Sequence, residues 1–113
     1  MRSIDFRTKI VGVTFSNDDG GSRQDLIEEL EDRVEEEGSV QLILRRDPHN
    51  AYDSNAVAVL DPDGEQLGHL SRDVVETVAP LMDRGARLRA EVLQVTGGGL
   101  THSYGVNIRV WSE

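Results

Sequence analysis

Cysteine is absent from the 113 residues of this chain. That excludes a disulfide framework, a thiolate metal site and a thiol nucleophile. Aromatics are scarce at 4%, with two Phe, two Tyr and one Trp, so each ring counts. Lysine occurs once, as Lys9, beside eleven arginines. No apolar run approaches the roughly 18 residues of a membrane helix, and no membrane partner is expected. The opening Met1-Arg2-Ser3-Ile4-Asp5 lacks the apolar stretch of a signal peptide, so the expected compartment is the cytoplasm. The length suits a single domain over 1–113, its core spanning about 9–111.

What the chain does have is acid. Twenty-one acidic residues against 12 basic ones give a net charge of −9. Residues 17–38 hold ten of those acids and two bases (Arg23 and Arg33), while the remaining eleven acids and ten bases nearly cancel. A net acidic chain argues against nucleic acid, whose phosphates need cations. That objection weakens when the acid is confined to one segment that can lie away from a binding groove. Arginine forks suit phosphate or carboxylate, but an arginine bias also follows from genome composition.

Lys9-Ile10-Val11-Gly12-Val13-Thr14-Phe15 reads as a strand, with Gly12 marking a bulge or a close backbone approach. Ser22 is a helix N-cap with acids in the turns behind it. Leu26, Ile27, Leu30 and Val34 form one helical stripe up to a terminator at Gly38. Ser39 to Arg46 is a strand with Val40, Leu42 and Leu44 on one side. Ala56 to Leu60 is another, joined through the turn Asp61-Pro62-Asp63-Gly64 to a partner over Glu65 to Leu70. Ser71 caps a second helix with the stripe Val74, Val75, Val78, Leu81 and Met82, which Pro80 should break or kink. Arg87 to Thr96 is a long strand, with Leu88, Ala90, Val92 and Gln94 on one face against Arg89, Glu91, Leu93 and Val95 on the other. Gly97-Gly98-Gly99 is a flexible connector. Tyr104 to Trp111 is the last strand, with Val106, Ile108 and Val110 in one row. Six short strands and two helices without strict alternation speak against a doubly wound sheet. The expected fold is mainly β: a small OB-like or SH3-like six-stranded β-barrel, or a strongly curved antiparallel sheet, with two α-helices.

Little of this chemistry looks catalytic. His49, His69 and His102 form no metal motif, and no nucleophile elbow surrounds a serine. The triple glycine lacks the Gly-Lys-Ser/Thr of a phosphate loop. Asp61, Asp63 and Glu65 have the wrong spacing for a calcium loop. The exception is the polar loop between two strands, Arg45-Arg46-Asp47-Pro48-His49-Asn50-Ala51-Tyr52-Asp53-Ser54-Asn55. Its ring, carboxylate and amides can stack a base and hydrogen-bond a sugar hydroxyl. They can equally cap their own backbone through Asx turns, a role that suits Asp47 and Asn55. On the loop alone the two readings stand level.

The run Arg46-Asp47-Pro48-His49-Asn50-Ala51-Tyr52-Asp53-Ser54-Asn55-Ala56-Val57, then Gly64, then Gln66-Leu67-Gly68-His69-Leu70, resembles the HIRAN domain family. Ile10-Val11-Gly12-Val13 and Leu81-Met82-Asp83 extend the likeness from about Lys9 to Val110, in the manner of a stand-alone, bacterial-type member. The resemblance implies an OB-like barrel with two helices that binds single-stranded DNA at a free 3′ end. It implies that Tyr52 stacks on the terminal base and that Asp53 accepts a hydrogen bond from the 3′-hydroxyl. Asn50 would help hold the terminal nucleotide, with Arg46 in the same DNA-binding set. His69 and Arg72 would meet backbone phosphates, and Phe15 would add a second stacking surface. Eukaryotic members are fused to Swi/Snf-type ATPases that remodel stalled forks. This points to DNA repair or fork processing, with a helicase or nuclease as the protein partner.

The leading expectation is therefore a non-enzymatic module that captures single-stranded 3′ ends, without a cofactor or metal. The alternative is a protein-interaction or structural module with a degenerate DNA site, whose acidic helix 22–37 meets a basic partner by charge complementarity. An enzyme, with Asp47, Asp53 and Asp73 gathering a divalent metal, ranks last. An arginine-lined groove from Arg45, Arg72, Arg87 and Arg89 around Tyr52 would favour DNA. Scattered arginines would favour the protein partner. Trp111 and Leu100 are candidates for an exposed interface, although packing is the commoner fate of such residues.

Overall fold

The computed structural model describes residues 3–100 and 102–113. Thr101, and Met1 and Arg2 of the segment read above for a leader, lie outside the described residues. The elements are β1 (Asp5–Lys9), α1 (Arg23–Glu37), β2 (Gln41–Arg46), β3 (Val57–Leu60), β4 (Gln66–His69), α2 (Arg72–Asp83), β5 (Leu88–Thr96) and β6 (Gly105–Ser112). The strands form one antiparallel sheet in the order β1-β6-β5-β2-β3-β4. The sheet curls into a half-barrel. Beyond the end of β1, Val11 bridges His69 of β4, N–H to carbonyl in both directions at 2.8 and 2.9 Å. The expected mainly β architecture, a strongly curved antiparallel sheet with two helices, is what the chain adopts.

Local chemistry explains the helices. The Ser22 hydroxyl accepts from the Asp25 N–H at 3.2 Å and the Ser71 hydroxyl from the Val74 N–H at 3.4 Å, which satisfies orphan donors at each first turn. Gly38 ends α1 by donating to the Val34 carbonyl at 2.8 Å. Pro80 does not break α2, which runs on to Asp83. Pro80 and Glu76, the residue four earlier, are both exposed, so the carbonyl that proline leaves without a donor faces water.

The core lies between the curved sheet and the helices. Ile10, Leu42, Val59, Leu67, Ala90, Val106, Ile108 and Val110 point inward and meet Ile27 and Leu30 of α1 and Val75, Val78 and Ala79 of α2. Each larger aliphatic side chain among them gains roughly 1.5–3 kcal/mol over its exposed state. The inward rows Val40-Leu42-Leu44 and Val106-Ile108-Val110 match the period of two read from the sequence.

Two sequence readings need correction. The first strand is Asp5–Lys9, not Lys9–Phe15: Gly12 takes φ +71° and turns the chain, leaving Phe15 on a loop. In β5 the alternation slips, because the register shifts between Val92 and Gln94 opposite Ile108 and Asn107. This bulge sends Leu93 and Gln94 outward and returns Val95 to the core.

The half-barrel closes only because Gly68 has no side chain. A Cβ at Gly68 would overlap the Val11 carbonyl oxygen and stand 3.4 Å from Val13 Cγ1. Backbone cannot yield as a flexible side chain can. Gly68→Ala is expected to cost about 1–3 kcal/mol, the usual penalty of overpacking, read as a lower urea midpoint. A midpoint equal to that of the wild type would remove this account of the closure.

Candidate functional site

The polar loop 47–56 is held from inside. Its ends pair through Asp47 N–H to the Ala56 carbonyl at 2.9 Å. Asn50 Oδ1 accepts from the Tyr52 and Asp53 N–H groups at 2.9 and 3.1 Å, and its Nδ2 donates to Asp47 Oδ2 at 3.1 Å. Asp53 Oδ1 accepts from the Asn55 N–H at 2.9 Å. The Asx turns anticipated for this loop are present, but Asn50 and Asp53 make them. Asp47 receives the Asn50 amide instead, and Asn55 contributes its backbone N–H.

Arg46 fastens the same loop. Its guanidinium donates to the Ala56 and Ser54 carbonyls at 2.8 and 3.0 Å and forks onto the Asp83 carboxylate at 2.9 and 3.2 Å. That hydrogen bond holds the Asp83 carboxyl below its ordinary value.

So braced, the loop presents Tyr52 at 89% exposure. A groove of about 640 Å³ opens beside it, lined by Phe15, Arg23, Asn50, Tyr52, Asp53 and His69 among others. Five of the seven site residues expected from the sequence thus share one concavity. The other two lie outside its lining: Arg46 behind the loop and Arg72 at the rim. Arg72 Nη2 donates to the Tyr52 carbonyl at 3.3 Å, and its Nε stands 3.8 Å from Asp53 Oδ2. Phe15, at 67% exposure, enters from the turn after Gly12. A Cβ built on Gly12 would stand 3.3 Å from Arg23 Nη1, 3.5 Å from Phe15 Cδ2 and 3.8 Å from His69 Nδ1, so these three side chains converge on one point of the wall.

Sequence reasoning missed Arg23. It is buried, with 7% exposure. Its Nε donates to Asn17 Oδ1 at 2.8 Å and its Nη1 to the Gly12 carbonyl at 2.7 Å. Burial pulls its proton affinity down, opposed by the Asp18 charge. A signal was available: a cation directly after an N-cap opposes the helix dipole and needs another reason to be there. His69 is half-buried, with the Gln66 amide nitrogen 3.3 Å from Nδ1 and 3.2 Å from Nε2. Burial lowers the His69 pKa, the Arg23 charge lowers it further, and Asp47 opposes both. The imidazole is therefore neutral at physiological pH.

The arginine arrangement set out as a discriminator is only partly met. Arg72 reaches Tyr52, but Arg45, Arg87 and Arg89 do not line the groove, and Arg89 is engaged by Glu113 at 3.0 Å and Gln41 at 3.3 Å. Among the described residues, no group of three His, Asp or Glu could hold a metal ion, so Asp47, Asp53 and Asp73 do not form one. Nor is any helix among them long and apolar enough to cross a membrane.

The HIRAN domain family model matches residues 4–113. The chain is 45% identical over 40 residues to the helicase-like transcription factor of Mus musculus, covering 35% of this chain and 4% of that protein. It is 33% identical over 73 residues to the Fanconi-associated nuclease 1 homolog of Arabidopsis thaliana, covering 63% and 8%. The matched stretch is thus under a tenth of these relatives' length. Among solved structures it resembles the HIRAN domain of human HLTF, with TM-score 0.65 and 22% identity, covering 97% of this chain and 78% of that one. A Lactobacillus plantarum protein gives 0.62 and 22%, covering 96% of each. The HLTF HIRAN domain in its DNA-bound conformation gives 0.55 and 22%, covering 96% and 75%. These structural likenesses carry the fold.

The depressed His69 pKa has a consequence for stability. Unfolded histidine titrates near about 6.5, so between that value and the lower native one the unfolded chain binds more protons. Stability is then complete above pH 6.5 and declines as pH falls through the native pKa. Thermal unfolding at pH 7.5 and 5.5 should give a lower Tm at the acid value, and His69→Gln should shrink that difference. An undiminished difference in the variant would assign the effect elsewhere.

Proposed function

We propose that this chain, which belongs to the HIRAN domain family, is a non-enzymatic DNA-binding module whose groove receives the 3′-hydroxyl end of a single strand. The observation that carries the reading is the placement of an exposed Tyr52 ring beside the Asp53 carboxylate in one groove that Phe15 also lines. A base stacked on Tyr52 gains about 1–3 kcal/mol. Asp53 Oδ1 is occupied by the Asn55 N–H, and Oδ2, with Arg72 Nε 3.8 Å away, is the acceptor for a terminal hydroxyl. Because Asp53 is a carboxylate, it repels a terminal phosphate, which gives the end its chemical identity.

The other residues take roles that their contacts allow. Asn50 commits its amide to the loop, so it shapes the seat of the terminal nucleotide. Arg46 positions the loop from behind. His69 serves phosphate as a neutral hydrogen-bonding group, and Arg72 supplies charge at the rim. That the HLTF HIRAN domain has a DNA-bound conformation supports the DNA-binding part of this reading. The helicase-like and nuclease relatives support a setting in DNA repair or fork processing, with such an enzyme as partner.

One observation favours a second reading. Three of the four arginines sought around Tyr52 lie elsewhere, and α1 carries dense acid. A protein-interaction module using helix 22–37 against a basic partner would have this charge pattern.

Fluorescence anisotropy separates the two. A short single strand ending in a 3′-hydroxyl should bind more tightly than the same strand 3′-phosphorylated. Tyr52→Ala should cost about one to two decades of affinity. Asp53→Asn keeps the Oδ1 cap and should erase the preference between ends. Equal affinity for both ends would remove end reading, and no binding even at low salt would leave the protein-partner reading.

A further inference from the structure

Beyond the groove, β1 continues outward with a row of its own. Its exposed positions are Asp5, Arg7 and Lys9, and Val11, at 44% exposure, is the next residue in that alternation and lines the groove. Residues two apart on a strand are about 6.8 Å apart, a separation that successive phosphates of an extended strand can match. Val11, Lys9 and Arg7 therefore lead away from the groove in steps of nucleotide size.

Arg7 lies directly opposite Arg109 in the β1–β6 register. Like charges facing across a sheet are unfavourable. Arg109 is drawn off: it forks onto Asp5 at 2.9 and 2.8 Å, lies 3.7 Å from Glu91 and stacks 4.5 Å from the Trp111 ring centroid. Among the described residues neither Arg7, whose charge acts on the Asp5 carboxyl, nor Lys9, which lies opposite Asn107, makes a hydrogen bond or a close ion pair. A second concavity of about 640 Å³ is lined by Arg7, Lys9, Leu93, Gln94 and Asn107. The β5 bulge puts Leu93 and Gln94 there, adding an apolar surface and an amide to the two cations.

We propose that this outward face of β1 is a track for the phosphate backbone of the strand whose 3′ end occupies the groove, with Lys9 and Arg7 meeting successive phosphates. The proposal rests on the DNA-end reading and extends it: the groove reads the terminus, and the track supplies charge that the groove lacks. Charged residues on an edge strand also guard against strand addition, but that role would leave DNA affinity untouched.

The test compares a dinucleotide, chosen to be short enough to engage the groove without running along β1, with a hexanucleotide, both ending in a 3′-hydroxyl. The hexanucleotide should bind more tightly to the wild type. In Arg7→Gln/Lys9→Gln that advantage should disappear while dinucleotide affinity stays unchanged. The slope of log affinity against log salt for the hexanucleotide should flatten by about 1.4, that is about 0.7 per lost phosphate contact. Neutral methylphosphonate linkages in the hexanucleotide, upstream of its last nucleotide, should flatten the slope equally on the unmutated protein. Dinucleotide binding with no hexanucleotide advantage would overturn the track and leave the end reading standing. Unchanged slopes in both the variant and the methylphosphonate arm would also overturn it. Failure of every strand to bind would overturn both.

Discussion

The groove depends on one backbone crossing. Val11 and His69 exchange hydrogen bonds at 2.8 and 2.9 Å, and they do so across Gly68, where any Cβ would overlap the Val11 carbonyl. Ile10 turns into the core at 1% exposure just before the crossing, and Gly12 turns the chain away just after it. Arg23 then holds the Gly12 carbonyl at 2.7 Å. Beyond the end of β1 the two ends of the sheet meet through this isolated bridge, while β1 itself remains an edge strand. Val11, Gly12 and His69 are also wall residues of the groove. Closing the barrel and building the site are thus one event, and a change that loosens the first displaces the second.

That dependence explains which parts of the fold were legible in the sequence. Both helices carry local signals: Ser22 and Ser71 as caps, a terminating Gly38, and stripes at helical spacing. The hairpin at Asp61-Pro62-Asp63-Gly64 is equally local, with Asp61 Oδ1 accepting from the Asp63 and Glu65 N–H groups, each at 2.9 Å. The first strand is not legible because its pairing is remote: Asp5 lies opposite Trp111. Charged Asp5-Phe6-Arg7-Thr8-Lys9 has no β-branched run to mark it, whereas Ile10-Val11-Gly12-Val13 has one and is used for a crossing and a turn. The bulge in β5 left no trace in the sequence, because only the β6 register defines it.

The site divides in the same way. The loop could be read as either a ligand seat or a self-capping turn, and the structure makes those two descriptions compatible. Asn50 and one oxygen of Asp53 cap the backbone, which leaves Tyr52 exposed and the other oxygen 3.8 Å from Arg72 Nε. The capping side chains could not be told apart from sequence, since Asp47, Asn50, Asp53 and Asn55 all have suitable chemistry and only geometry selects among them. Arg23 was hidden by its setting. In a helix otherwise rich in acid, an arginine reads as part of a solvated face, yet this one is buried against two neutral oxygens, from Asn17 and Gly12.

The charge of −9 then poses less of an obstacle than its size suggests. Ile27 and Leu30 fix the inward face of α1. Glu28, Glu31 and Asp32 add to burial in raising the Tyr104 pKa, which places those acids beside the start of β6. Asp18 is the acid of that segment that lines the groove. Exposed charges more than about 8 Å apart are largely screened at physiological ionic strength. The groove itself gathers little positive charge: among its lining residues Arg23 is the one arginine, set against Asp18, Asp47 and Asp53, while Arg46 is taken by Asp83 and Arg72 lies against Asp53. A polyanion gripped mainly through phosphates would find this a poor site. A strand end offers a base face and a hydroxyl, neither of which depends on net charge. That charge pattern fits the reading proposed above, in which a ligand is recognised by its terminus and stacked on Tyr52 and phosphate contacts add affinity outside the groove.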